Sequence, residues 1–228
     1  METTTEQRAR LSRGSSHETV YALVVRVVAG LGLGPGARLL DVGCGAGRLW
    51  PCVRTHFAHY TGVDLIRYDG FPEDGEFHAA DLEAGAIALP DAAFDVVAVV
   101  ETIEHLDGPR RFVRELARLV QPGGWLIVTT PNQLSLVSLL YLALRHQFHA
   151  FQEAPGLYPA HRTALLETDL VRIAREQGLI DIKINYTDRG RIPLTGRHWP
   201  RPLKGRRFSD NVLLAARRSA CPAGSGVD

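Results

Sequence analysis

Five residues, Arg38-Leu-Leu-Asp-Val42, run directly into glycines at 43, 45 and 47. A short aliphatic run of this kind predicts a strand buried on both faces, and the glycines after it predict a tight turn opening into a helix. The same apolar pattern recurs at His59-Tyr-Thr-Gly-Val-Asp64, Glu76-Phe-His-Ala-Ala-Asp81, Phe94-Asp-Val-Val-Ala-Val-Val100 and Trp125-Leu-Ile-Val-Thr-Thr130. Helical spacing predicts helices over Thr19–Leu33, ended by Gly30, Gly32, Gly34, Pro35 and Gly36, and over Pro109–Val120, broken by Pro122-Gly-Gly124. Apolar strands alternating with helices imply an α/β fold with a parallel sheet covered on both faces. Open sheets of this type bind ligands at the carboxyl ends of their strands, beside the point where strand order reverses. Asp41–Gly47, Asp64, Asp81 and Glu101–His105 all stand at such ends.

A chain of 228 residues, 45% hydrophobic and 22% charged, suffices for one well-buried domain with additions. The expected division is a flexible polar arm over residues 1–16, a single domain over 17–218 and a flexible tail over 219–228. The arm has no signal-peptide pattern, and Cys44, Cys52 and Cys221 are too few and scattered for a disulfide framework, so a reducing cytoplasm is expected. Val20–Ala29, interrupted by Arg26, and Leu134–Leu144 fall far short of the roughly 20 residues of a membrane span. The net charge of +1 gives no global reason to expect nucleic acid, yet Arg189, Arg191, Arg197, Arg201, Lys204, Arg206 and Arg207 crowd one stretch. That stretch reads as a solvated surface, or as a site for anions or a membrane surface.

The glycines choose among cofactors. A dinucleotide fingerprint is GxGxxG, whereas Gly43-Cys-Gly45-Ala-Gly47 is GxGxG and follows Asp41. A pyrophosphate is repelled by that carboxylate, which disfavours a nicotinamide-dependent oxidoreductase. A ligand with cationic groups, a carboxylate and ribose hydroxyls, as in S-adenosylmethionine, suits Asp41, the loop N–H groups and Asp64 together.

Leu39–Leu49, Tyr60–Leu65, Phe77–Leu82, Phe94–Leu106 and Leu119–Asn132 resemble, in order and spacing over residues 37–132, the motifs of class I S-adenosylmethionine-dependent methyltransferases, of the broad type that includes ubiquinone-type O-methyltransferases. The resemblance implies a Rossmann-like doubly wound sheet of about seven strands, the last antiparallel, with helices on both faces; Phe208–Ala216 is the candidate for that last strand. It implies Asp41, Gly43, Cys44, Gly45 and Gly47 around the methionine part, Asp64 and Leu65 at the ribose, Asp81 and Leu82 at the adenine, and Glu101 at the cofactor's edge. It also implies an acceptor-covering insertion over residues 133–164 and a C-terminal helix and strands over 165–218. The family helix between Asp64 and Glu76 is missing here, which predicts a more open adenine side.

Val100-Glu-Thr-Ile-Glu-His-Leu106 places Glu101, Glu104 and His105 at i, i+3, i+4 spacing, one face of a helical turn. His105 with Glu104 reads as a general base and its partner, acting on an acceptor hydroxyl without metal. The ExxEH pattern also resembles small-RNA 2′-O-methyltransferases that hold a divalent metal. Glu101, Glu104, His105 and a distant His161 are then the ligands for Mg²⁺, Mn²⁺ or Zn²⁺, with His146 and His149 as rivals for the last place. A polar helix start with a packed histidine is the third alternative. The expected acceptor is a small molecule, glycan or lipid-linked compound, because no aromatic-rich basic platform for nucleic acid is evident. Leu134–Leu144 reads chiefly as a core face, and otherwise as cover for an acceptor with an apolar part or as a peripheral membrane contact. A non-catalytic S-adenosylmethionine-binding regulatory domain is the alternative to an enzyme.

Overall fold

A computed structural model describes residues 15–154, 156–200 and 202–220. The expected arm, apart from Ser15 and Ser16, and the expected tail beyond residue 220 lie outside the described residues, as do Arg201 and Cys221. The elements in chain order are α1 (Glu18–Val28), β1 (Arg38–Val42), α2 (Trp50–Val53), β2 (His59–Asp64), β3 (Glu76–Ala79), β4 (Phe94–Val99), α3 (Pro109–Leu119), β5 (Val120–Pro131), α4 (Leu136–Arg145), α5 (Glu167–Glu176), β6 (Leu179–Tyr186) and β7 (Asn211–Arg218). The seven strands form one sheet in the order β3-β2-β1-β4-β5-β7-β6. β7 is antiparallel to both neighbours, and the five strands before β6 run parallel to one another.

Alternation along the strands makes the two cores. Leu40, Val97 and Val99 face α3 and α5, joining Phe112, Val113, Leu116, Leu170 and Ile173. Leu39, Val96 and Ala98 face the other way, against Val20, Leu23 and Val24 of α1 and Trp50 and Val53 of α2. Each strand is therefore apolar on both faces, as a sheet between two helical layers requires. The strand order reverses between β1 and β4, so their carboxyl ends diverge and leave a crevice.

Four expectations need correction. The first helix ends at Val28 and passes through a turn, since Gly32 takes a left-handed φ of 66°. The helix after the glycine loop starts only at Trp50 and has 4 residues, because the loop itself continues as turns through Leu49. Pro122-Gly-Gly124 does not separate helix from strand: β5 runs through it with a register shift opposite Phe94 and Val96. The last strand is Asn211–Arg218 and not Phe208–Ala216, because Phe208 and Ser209 belong to the turn closed on Gly205.

No helix forms between Asp64 and Glu76, as expected. Phe71 in that segment instead packs between Tyr60 and Phe77, and Asp74 accepts from the Trp50 indole at 3.1 Å. Gly124 owes its identity to the bulge. A Cβ there would lie 2.7 Å from the Asp95 carbonyl oxygen. Gly124→Ala is expected to lower stability by about 1–3 kcal/mol in a denaturant titration, and an unchanged midpoint would contradict this packing.

Candidate active site

The crevice between β1 and β4 opens into a cavity of about 310 Å³. Asp41, Gly43, Cys44, Asp64, Leu65, Asp81 and Leu82 line one part of it, and Glu101, Thr102, His105, Ala160, His161 and Asn211 line the other. Gly45 and Gly47 shape the turn from behind. Gly43 must be glycine: its φ is 74°, and a Cβ would meet Thr102 Oγ1 at 2.2 Å. This close approach fixes β1's turn against the end of β4.

Asp64 is held by backbone donors, Gly45 N–H to Oδ2 at 2.8 Å and Leu65 N–H to Oδ1 at 2.7 Å, with the Ile66 N–H a further one. Asp41 is buried and, among the described residues, accepts from the Tyr60 hydroxyl at 3.0 Å. Burial pushes its carboxyl up to about 7, the nearby Asp64 charge adds to the rise, and the Tyr60 hydrogen bond opposes it. Asp81 is exposed and accepts from Glu83 N–H at 2.9 Å. Asp41, Asp64, Asp81, Glu83 and Glu101 all line the cavity, and among the described lining residues there is no Lys or Arg. A cationic ligand relieves this imbalance; a pyrophosphate aggravates it.

Glu101, Glu104 and His105 do not share a helical face. Glu101 adopts φ 50°, and a separate 3-10 turn over Ile103–His105 ends well before α3. Glu101 accepts from Thr129 Oγ1 at 2.9 Å and Asn211 Nδ2 at 2.7 Å. Loss of hydration raises its carboxyl to about 7 against those bonds. Glu104 is sealed beneath the cavity, fully buried, with Oε2 accepting from Thr130 Oγ1 at 3.1 Å. Its Oε1 has no hydrogen-bond partner and lies 3.9 Å from His161 Nε2. Burial, and secondarily the charge of Glu101, holds the Glu104 carboxyl well above the usual range.

The two imidazoles meet edge to face, ring centres 4.8 Å apart. His105 Nδ1 pairs with the Ala160 carbonyl at 2.9 Å and His161 Nδ1 with the Ala150 carbonyl at 2.9 Å. Since a carbonyl only accepts, each ring carries its proton on Nδ1 and its lone pair on Nε2. Desolvation lowers the pKa of His105, and lowers that of His161 to about 4 with help from the neighbouring His105. Desolvation thus favours the neutral form of both rings, most strongly that of His161.

The structure thus brings His161 to Glu104 and His105, with ligand atoms all within 4.8 Å, whereas the Glu101 carboxylate is occupied by Thr129 and Asn211. His146 is an exposed left-handed helix cap, and His149 packs on Tyr141. Sequence reasoning missed Ser16, Tyr21, Thr102 and Asn211 in the lining. Asn211 carried a signal, a polar side chain opening the last strand. Ser16 carried none, since its place depends on its N–H donating to Tyr21 Oη at 2.9 Å.

Residues 16–183 match the methyltransferase domain family. The chain belongs to that family. Among curated relatives, the ubiquinone biosynthesis O-methyltransferase of Burkholderia pseudomallei is 32% identical over 161 residues, 66% of this chain and 67% of the relative. That of Leptothrix cholodnii is 30% identical over 196 residues, 80% of this chain and 78% of the relative. The fold is shared with a Thermotoga maritima methyltransferase at TM-score 0.63 and 21% identity, covering 89% of this chain and 91% of that one. It is also shared with a Burkholderia thailandensis 1,6-didemethyltoxoflavin-N1-methyltransferase solved with S-adenosylhomocysteine, at TM-score 0.58 and 16% identity, covering 96% and 92%. The protein is an S-adenosylmethionine-dependent methyltransferase, and the anionic cavity fits that donor.

Asp41 carries a measurable consequence. Its folded pKa of about 7 exceeds the ordinary 3.8, so the ligand-free fold loses stability as pH rises between these values, and the full penalty stands above about 7. Asn at this position keeps the acceptor for Tyr60 without the charge. Asp41→Asn is expected to raise ligand-free stability by about 1–3 kcal/mol at pH 8 but not at pH 3.5, while weakening S-adenosylmethionine binding. Equal shifts at both pH values in thermal melts would contradict the buried-charge assignment.

Proposed function

We propose that the protein methylates a hydroxyl oxygen of a small-molecule acceptor with an apolar part, and that His105 takes the acceptor's proton. The observation that carries this reading is one cavity in which an acidic half, free of Lys and Arg among its described lining residues, meets the imidazole of His105, whose neutral form burial favours. Asp41 and the Gly43–Gly47 loop, Cys44 included, hold the methionine end of the donor, Asp64 and Leu65 the ribose, and Asp81 and Leu82 the adenine. The donor supplies an electrophilic methyl group on sulfur. The chain's own work is to align the acceptor hydroxyl in line with that methyl and to remove its proton. With Nδ1 anchored on Ala160, the His105 lone pair is available on Nε2. Glu104 and Glu101, set beneath and beside it, position the turn that carries His105.

Oxygen as the methylated atom is supported by the relatives named O-methyltransferases. An apolar part of the acceptor, as in a lipid-linked compound, is supported by α4, which does not serve as a core face: only Val137 and Ser138 are buried, and Leu142 and Leu144 are exposed, as are Leu157 and Tyr158. The same exposure supports peripheral membrane contact. Nucleic acid as acceptor gains no support, because Arg191, Lys204 and Arg206 of the basic stretch pair with Asp210, Asp188 and Glu167. Among the described residues no helix is long and apolar enough to cross a membrane. Free thiols at Cys44 and Cys52 support a reducing, cytoplasmic setting.

Two variants test the roles. Asp64→Ala is expected to weaken S-adenosylmethionine binding by roughly 1.5–3 kcal/mol in calorimetry, since charge-assisted bonds to two hydroxyls are lost; unchanged affinity would remove Asp64 from the site. His105→Ala should lower kcat by about 10²-fold or more with donor affinity little changed. The wild-type rate should rise with pH and level off, with its midpoint below 6.5, because desolvation lowers the His105 pKa. Full activity of His105→Ala would eliminate the base.

One observation favours a second reading. Glu104 Oε1 has no hydrogen-bond partner among the described residues, and Glu104, His105 and His161 each offer a ligand atom within 4.8 Å of the others. This donor set fits a divalent cation held by Glu104, His105 and His161, each imidazole anchored through its other nitrogen, and such an ion would lower the pKa of an acceptor hydroxyl. On this reading chelation abolishes activity, Mg²⁺, Mn²⁺ or Zn²⁺ restores it, and His161→Ala matches His105→Ala. Activity untouched by chelator eliminates the metal.

A further inference from the structure

A second cavity, of about 190 Å³, adjoins the first and shares Leu157, His161 and Asn211 with it as a common wall. It lies where β5 ends and β7 begins, the next positions along the row of strand ends after β1 and β4. Its polar lining includes Gln133, Ser138, His149, Arg191, Asp210 and Asn211. Apart from Asn211, none of these lines the first cavity, and three of them, Gln133, Ser138 and His149, are buried. We infer that this second cavity is the subsite for a neutral, polyhydroxylated part of the acceptor, of the size of a sugar ring.

The inference rests on the first cavity being the reaction site. Charge selects the class. Arg191 Nε donates to Asp210 Oδ2 at 2.9 Å and Arg191 N–H to Oδ1 at 3.1 Å, so the two formal charges of the lining cancel. An anionic group would face Asp210, and a cationic one would face Arg191. An alkyl group would strip water from these polar side chains and return no hydrogen bond. Hydroxyls both donate and accept, which suits this mixture. The guanidinium has five donors, one given to Asp210 and one lying 3.5 Å from His149 Nε2, and Ser138 Oγ is only 3.4 Å from Gln133 Oε1, a long contact that a ligand hydroxyl can better. At about 30 Å³ per water in the liquid, the cavity holds roughly six waters, about the volume of a six-membered ring with its substituents. An acceptor whose reacting hydroxyl meets His105 and His161 can therefore continue past Leu157 and seat its ring here.

The full chain, saturated with S-adenosylhomocysteine, tests this by saturation-transfer NMR with methyl β-D-glucopyranoside as probe and benzoate as the anionic comparison. Transfer to the glucoside should exceed transfer to benzoate, and should fall at least fivefold in Arg191→Met and in Ser138→Leu. S-adenosylhomocysteine affinity should stay within about twofold in both. The Arg191 side chain is 46% exposed, so this variant is expected to fold even if a leucine at 138 disturbs α4. No transfer to the glucoside, a preference for benzoate, or signals unchanged in Arg191→Met would overturn the inference. Failure of the methyl-transfer reading appears separately, as wild-type protein that does not bind S-adenosylhomocysteine.

Discussion

Burial of negative charge without a matching cation is the constraint on which the site depends. Asp41 is 2% exposed and among the described residues its hydrogen-bond donor is a tyrosine hydroxyl, while each Asp64 oxygen accepts from a backbone N–H. Keeping such groups in a protein is unfavourable unless a ligand supplies the missing positive charge. The sheet makes this possible by ending β1 and β2 side by side, with Asp41 level with Gly62 and Val42 level with Val63. Gly43 then turns away against Thr102, which leaves the two carboxylates facing the crevice.

The opposite wall is assembled from parts far apart in the chain. Arg162 and Thr163 donate their backbone N–H groups to the Glu104 carbonyl at 2.8 and 3.0 Å, and Thr163 Oγ1 donates to Leu106 at 2.6 Å. These bonds clamp the insertion after β5 onto the short turn that holds His105. The clamp sets His161 beside His105 and closes Glu104 off from water. The proposed base and the proposed donor-binding carboxylates thereby stand on separate strand ends that share one cavity, an arrangement suited to methyl transfer from a bound donor to a separate acceptor.

Strands were the most legible part of the sequence: β1 and β2 match their predicted bounds, because aliphatic runs between glycines or polar ends leave little choice. That Asp41, Asp64, Asp81 and Glu101 come together in one cavity was legible for the same reason, since the strand ends of such sheets converge on one crevice. The break expected at Pro122-Gly-Gly124 failed because local turn chemistry was read without the bulge that β4 imposes through Phe94 and Val96. Helical spacing misread Glu101 and Glu104 because Glu101 takes a left-handed φ that tertiary bonds to Thr129 and Asn211 sustain. The place of His161 next to Glu104 depends on a clamp 55 residues or more along the chain, which no local pattern encodes.

The orientation of the donor is the central point, and a crystal structure of the full protein with S-adenosylhomocysteine reads it directly. The amino group is expected beside Asp41, the ribose hydroxyls on Asp64, and the sulfur facing His105 and His161 across the cavity. A ligand whose ribose avoids Asp64, or whose sulfur points away from the two histidines, would contradict the assignment of this cavity as the place of methyl transfer.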